Sequence, residues 1–312
     1  MNAKTLEHRS GDNPVEDIAE WAHRPALREL VELFGGTWPT GTLAEVLAYL
    51  VDFSNVWDMR RGGSRLDIAV GTWDDDLVKR VEYLAGQLGM ADPAAPVGGA
   101  YDVALVLGGL ATGCVSRAEY LAALVRENRV APGRIALLGS FRELQAKERE
   151  LADTVDVDAQ TEVALLKTLA ATTFPHPGPW ETESEGDPTT SPRLTSLVAH
   201  RPSKPETWVF AARSSDPENR PANTADTYRQ AAGRFGFARG TRLLLVTTHI
   251  YARYQHWDAV RVLGRPFDLD IETIGTPPGG QSRRTFDAPW YTQEVRSTLR
   301  SAKALLDDVA KG

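Results

Sequence analysis

A chain of 312 residues, with 42% apolar and 25% charged residues, is long enough to bury one large α/β core with additions, or two modest domains. A formal net charge of -7 repels phosphate backbones, which argues against sequence-independent nucleic-acid binding and leaves room for a local pocket that takes a small anion. The single cysteine, Cys114, excludes an internal disulfide and fits the reducing cytoplasm, and no run of about 18 apolar residues offers a membrane span.

The first fourteen residues, MNAKTLEHRSGDNP, are polar, lack the apolar core of a secretory signal and are expected to be flexible. From residue 15 to about 97 the pattern is helical. ALRELVELF, TLAEVLAYLVDF and DDLVKRVEYLAGQLG space apolar residues three and four apart, with Thr42 and Asp74 or Asp75 placed as helix caps. Glycines in GGTWPTG and MRRGGSR punctuate this helical cap module. Core packing is the common use of its tryptophans, and Trp57 or Trp73 could also cover a planar ligand.

The period then changes. YDVALVLGG reads as a buried strand and is followed by a helix (SRAEYLAALVREN), a strand (RIALLGS), a polar segment and a helix (TEVALLKTLAAT). Residues 174–205, rich in Pro, Ser, Thr and Gly, read as a surface insertion. Beyond it come the strand TWVFAAR, a helix from about Thr224, the strand TRLLLVTT, the helix YARYQHWDAVRVLG, the strand FDLDIETIG and an amphipathic C-terminal helix. The expected fold is α/β: a five-stranded, mostly parallel, doubly wound sheet over residues 98–312, with the helical N-terminal module beside it.

In such sheets ligands bind beyond the carboxyl ends of the strands, so the strand-exit loops hold the candidates. VLGGLATGCVSR brings Gly108, Gly109, Gly113 and Arg117. Its glycines permit either a tight turn or close approach of backbone amides to an anion, and its spacing matches neither a dinucleotide fingerprint nor a P-loop. Cys114, without an acyl-transfer signature around it, reads as a small buried residue rather than a nucleophile. Ser140 stands at the second exit, and Glu162 opens the next helix, where it either stabilises the helix or acts as a base. Arg213 and Arg220 bracket a third loop as a possible oxyanion clamp, while Asn223 and Asp226 form a capping pair. LLLVTTHIYARYQ sets Thr247, Thr248 and His249 at the end of a central strand. A helix from there aligns His249, Arg253 and His256, with ligand contact expected of His249 and a structural role of His256. The six histidines are scattered, there is no HExxH, and DTVDVD lacks calcium-loop spacing, so metal ligation has little support. Magnesium remains a candidate companion of a phosphorylated ligand.

Taken in order, these loops resemble the bacterial YdcF, SanA and ElyC group. VLGGLATGCVSR with Arg117, the Gly139–Ser140 turn, Glu162, the Arg220, Asn223, Thr224, Asp226 segment and LLLVTTHIYAR with His249 and Arg253 carry the resemblance from about Tyr101 to Gly275. It departs from the group where glycine and serine are reversed, where Pro221 and Ala222 intervene, and in lacking the membrane anchor of several members. The resemblance implies a Rossmann-like sheet with a common pocket and, from the wider group, S-adenosylmethionine binding.

The function expected from these residues is a cytoplasmic small-molecule enzyme, a hydrolase or transferase, acting on a nucleotide-like or phosphorylated metabolite. Arg117, Arg220 and Arg253 would stabilise oxygen charge, His249 would transfer a proton, and Glu162 would orient it. A noncatalytic nucleotide or S-adenosylmethionine binding module and a protein-interaction scaffold are the alternatives.

Overall fold

A computed structural model of the chain describes residues 5–60, 73–91, 95–153, 159–176, 178–278 and 286–311. Gly62 and Gly63 of MRRGGSR and most of DTVDVD lie outside the described residues.

The N-terminal helices are α1 (Pro14–Ala22), α2 (Pro25–Leu33), α3 (Leu43–Phe53) and α4 (Asp75–Gln87). Their starts follow local chemistry. Thr42 caps α3 in a reciprocal box with Glu45, Asp74 caps α4 by accepting from Leu77, and α1 and α2 each begin at a proline, whose missing N–H costs nothing in a first turn. Their apolar stripes meet in one core containing Leu27, Leu30, Leu47, Leu50 and Trp57. Each buried leucine contributes about 2 kcal/mol. Trp57 is fully buried, edge-on to Phe34 and Phe53, and Trp73 packs on Phe34, so both tryptophans serve the core rather than a ligand.

The remaining elements are β1 (Leu6–His8), β2 (Gly99–Leu107), α5 (Ala111–Arg126), β3 (Val130–Gly139), α6 (Ala146–Asp153), α7 (Glu162–Thr173), β4 (Glu181–Glu185), β5 (Ser196–Arg201), β6 (Glu206–Ala211), α8 (Thr224–Phe235), β7 (Arg242–Thr248), α9 (Ala252–Ala259), α10 (Arg265–Phe267), β8 (Asp270–Thr276) and α11 (Ala288–Ala310). The sheet has eight strands in the order β1-β8-β7-β2-β3-β6-β5-β4. Its β8-β7-β2-β3-β6 block is parallel, whereas β1, β5 and β4 pair antiparallel.

The expected five-stranded, mostly parallel sheet is therefore corrected to an eight-stranded mixed one. The three additional strands come from segments without a clear strand signal. β1 lies within residues 1–14, expected to be flexible, where Leu6 and His8 turn inward and Glu7 outward. β4 and β5 lie within 174–205, and every residue of ETESE in β4 is exposed, so backbone pairing rather than burial recruits it.

Side chains of β2 alternate between two cores. Ala104 and Val106 pack with α5 and α7, while Val103, Leu105 and Leu107 pack with α8. The helical core is not confined to the N-terminal module, because Trp257 of α9 and Val295, Leu299 and Leu305 of α11 belong to it. Strand order changes direction between β2 and β7, which opens a crevice at their carboxyl ends.

Candidate functional site

The exits of β2 and β3, with the first turns of α7 and α8, surround a cavity of about 340 Å³. The β2 exit contributes Gly108 and Gly109, the β3 exit Gly139, Ser140 and Arg142, α7 Glu162, and the start of α8 Asn223 and Thr224.

Glu162 ties two loops together. One carboxylate oxygen accepts the Gly109 amide at 2.7 Å, and the other accepts the Ser140 amide at 3.1 Å and the Ser140 hydroxyl at 2.9 Å. Thr161 caps α7, which aims the first-turn carboxylate at these donors. Gly108 is required by close approach, since a Cβ there would collide with the Leu138 carbonyl and the Glu162 carboxylate.

Arg142, on the cavity wall, and Glu148, its partner, were not among the expected site residues. Arg142 forms a two-pronged bond to Glu148 at 2.7 and 3.1 Å and donates to the Gly109 carbonyl at 2.9 Å. Glu148, almost wholly buried, also accepts the amides of Ala111 and Gln145. Burial works to lower the Arg142 pKa, but the bond to Glu148 and the charge of Glu162 outweigh it and raise the guanidinium above its ordinary value. The signal in the sequence was an arginine and a glutamate six apart in a polar stretch just after a strand.

Asn223 and Asp226 form the expected capping box, and α8 starts at Thr224. Arg220 folds back on this turn, bonding Asp226 at 2.6 Å and Ser215 at 2.7 Å. Its bond and charge hold Asp226 below the usual carboxylate range, although burial pushes the other way. Arg213 is exposed, pairs with Glu185 at 3.6 Å and lines a separate hollow beside β4.

α5 begins at Ala111, earlier than expected, so Gly113 is a helical residue rather than a loop residue, and Arg117 lies within the helix. Arg117 is buried to 1% exposure and braces the two sides of the crevice. It donates to the Leu107 and Gly108 carbonyls, each at 2.6 Å, and to the Thr248 hydroxyl at 3.1 Å. Gly113 lies against it, and the Thr248 hydroxyl is occupied by it. Cys114 is buried, and burial pushes its thiol up to about 12, which suits the structural reading.

The β7 exit is a different place. The His249 ring lies 3.0 Å from the Thr276 carbonyl and edge-on to Phe286, and it does not line the cavity. Glu162 spends both oxygens on Gly109 and Ser140, so the expected pairing of Glu162 with His249 is not assembled. Arg253 faces the helical module, 3.5 Å from Asp17 and stacked over Trp257; burial lowers it to about 10. His256 bonds Thr273 inside the core. Among the described residues, no three His, Cys, Asp or Glu side chains converge as a metal site, and no helix is long and apolar enough to cross a membrane.

Fold and site together define a mixed α/β protein with an attached helical module and a small polar cavity at its strand exits. Residues 7–89 match the family described as the Rv3785 N-terminal domain. The chain is 30% identical to the "Uncharacterized protein Rv3785" of Mycobacterium tuberculosis (strain ATCC 25618 / H37Rv), over 96% of this chain and 91% of that protein. "Uncharacterized protein Mb3814" of Mycobacterium bovis matches to the same extent. The chain belongs to the Rv3785 family, and no solved structure matches it. These relatives span the helical module and the sheet together, and the mixed sheet departs from a simple Rossmann core; the resemblance to YdcF, SanA and ElyC is corrected accordingly. Its loops of glycine, arginine and histidine are local solutions to strand exits. The expectation of S-adenosylmethionine rested on that resemblance alone.

Proposed function

We propose that the protein binds a compact anionic metabolite, of the phosphorylated or small nucleotide class, in the strand-exit cavity, and that it does so in the cytoplasm. The observation that carries this reading is the meeting, in one cavity, of the Arg142 guanidinium, the Gly108–Gly109 backbone and the Asn223–Thr224 start of α8. A helix start carries a partial positive charge, and the Arg142 guanidinium, its fork engaged by Glu148 and the Gly109 carbonyl, adds its charge to that wall. Size narrows the class: small-molecule pockets run from roughly 300 to 1,000 Å³, and about 340 Å³ favours a compact ligand over a dinucleotide.

A second reading, hydrolysis or group transfer on that ligand, is favoured by the Ser140 hydroxyl donating to Glu162 at 2.9 Å on the cavity wall. A carboxylate beside a hydroxyl is the arrangement that can activate it.

The test is native mass spectrometry of gently purified protein, followed by calorimetric titration with phosphate-bearing metabolites. Binding weakened about tenfold in Arg142→Gln is the expected result. A clean apo mass together with no saturable binding across a broad panel would sink the reading in favour of a scaffold. Turnover lost in Ser140→Ala with affinity kept would establish the enzyme; turnover lost instead in His249→Ala would move the chemistry to the β7 exit.

A further inference from the structure

A separate hollow, of about 390 Å³, lies where the ends of α5 and α7 meet the start of β6. α7 runs from Glu162 at the strand-exit cavity to Thr173 at this hollow, and a helical rise of about 1.5 Å per residue puts roughly 17 Å between the two places. Part of the wall comes from both ends of the insertion at residues 174–205, which has no part in the anion cavity. Phe174, Pro175 and His176 enter from one end, and Ser203, Lys204 and Pro205 from the other.

This wall is held by bonds of its own. Buried Arg201 donates to the His176 carbonyl at 3.2 Å, and its guanidinium carbon lies 4.3 Å from the centre of the Trp180 ring, which ties one end of the insertion to the other. The Ser203 hydroxyl donates to the Pro205 carbonyl at 2.6 Å. A wall fixed in this way spares an incoming ligand the cost of ordering it.

The lining has two kinds of surface. Val125, Phe174, Pro175 and Pro205 present apolar groups that stay open to solvent in part. Arg126 and Lys204 supply charge; both are exposed, and no Asp or Glu lines the hollow. Among the described residues neither cation makes an ion pair or a side-chain hydrogen bond. A cation in the last turn of a helix is favourable in itself, which accounts for Arg126 at the end of α5. It does not account for Lys204, which reaches the same hollow from the insertion. Apolar groups beside two uncompensated cations complement an anion with an apolar stem. The volume sits near the low end of the roughly 300–1,000 Å³ of small-molecule pockets, which fits one short chain.

We propose that this hollow binds a small monocarboxylate with an apolar stem, of the short- to medium-chain fatty acid class, independently of the anion cavity. The probe is octanoate, titrated by calorimetry into the full chain at low ionic strength and neutral pH, with butyrate and hexanoate as shorter probes. The expected result is saturable single-site binding whose affinity rises about three- to fourfold for each added methylene. It should weaken about fivefold or more in the double variant Arg126→Gln/Lys204→Gln. Both side chains are exposed, so this variant keeps its denaturation midpoint. Arg142→Gln, at the strand exits, should leave octanoate binding unchanged, so either site can fail without the other. Absence of saturable heat with octanoate overturns the proposal, as does an affinity indifferent to chain length or to the double variant. Octanoate binding lost in Arg142→Gln would move the carboxylate to the anion cavity and overturn it as well. A dimer in sedimentation that Val125→Asn dissociates would give the hollow to a second copy of the chain, with the same consequence.

Discussion

The exits of β2–β3 and of β7 begin from the same kind of sequence, an apolar strand running into glycine, threonine, arginine or histidine, and they end in opposite states. At the first, Gly108, Ser140, Arg142 and Glu162 surround an open polar cavity. At the second, His249 is covered by Phe286, and Arg253 is stacked on Trp257 against the helical module. What differs is what packs above. α9 and α11 belong to the core of the helical module and close the β7 side, so polar residues there become braces, while those at β2–β3 keep access to solvent. Chemistry at a strand end is decided as much by its neighbours as by its residues.

The sharpest test of this contrast is Glu162→Ala. It orphans the Gly109 amide, the Ser140 amide and the Ser140 hydroxyl together, and the expected cost is about 3–5 kcal/mol in urea denaturation, with the cavity deformed and anion binding lost. A cost below about 1 kcal/mol would mean that the two exits are not held by this carboxylate.

Arg117→Met comes next. It removes the brace across the crevice and leaves the Leu107 and Gly108 carbonyls and the Thr248 hydroxyl without their cation. A loss of about 2–4 kcal/mol is expected. If stability held and ligand affinity alone collapsed, Arg117 would be a ligand residue after all.

The closed side should also respond to acid. Burial holds His8 and His256 below their ordinary value of 6.5. The unfolded chain therefore takes up protons that the folded chain refuses as pH falls through that value. Stability is expected to decline on acidification from there until pH passes beneath the lowered folded values. Urea midpoints measured across this window should fall in the native protein and fall less in His256→Gln. A midpoint that rises on acidification contradicts the burial argument.

The smallest effect is expected from Arg213→Ala. An exposed arginine 3.6 Å from an exposed glutamate contributes less than about 0.5 kcal/mol, and anion binding at the strand exits should be unchanged. A marked loss of anion affinity would join the hollow beside β4 to the main cavity.

Periodicity and capping chemistry were enough to locate most of the regular elements, because those signals act within a few residues. The Asn223–Asp226 box, the Thr42 cap and the buried strand at Tyr101–Leu107 each follow from neighbouring side chains. β1 and β4 were invisible for the complementary reason. A three-residue edge strand and a fully exposed ETESE are recruited by unpaired backbone groups of a distant strand, which leaves little pattern in their own side chains.

The site divides in the same way. Gly108, Gly109, Ser140, Glu162 and Asn223 were legible as strand-exit residues, and all five line the cavity. Arg142 and Glu148 were not, because their worth lies in a two-pronged bond and in the Gly109 carbonyl that it reaches. Local residue order determined where the chain turns and which groups stand at each turn. Only tertiary packing decided which exits stay open, which arginines become internal braces, and that His249 and Glu162 serve different neighbours, since burial and pairing depend on elements far away along the chain.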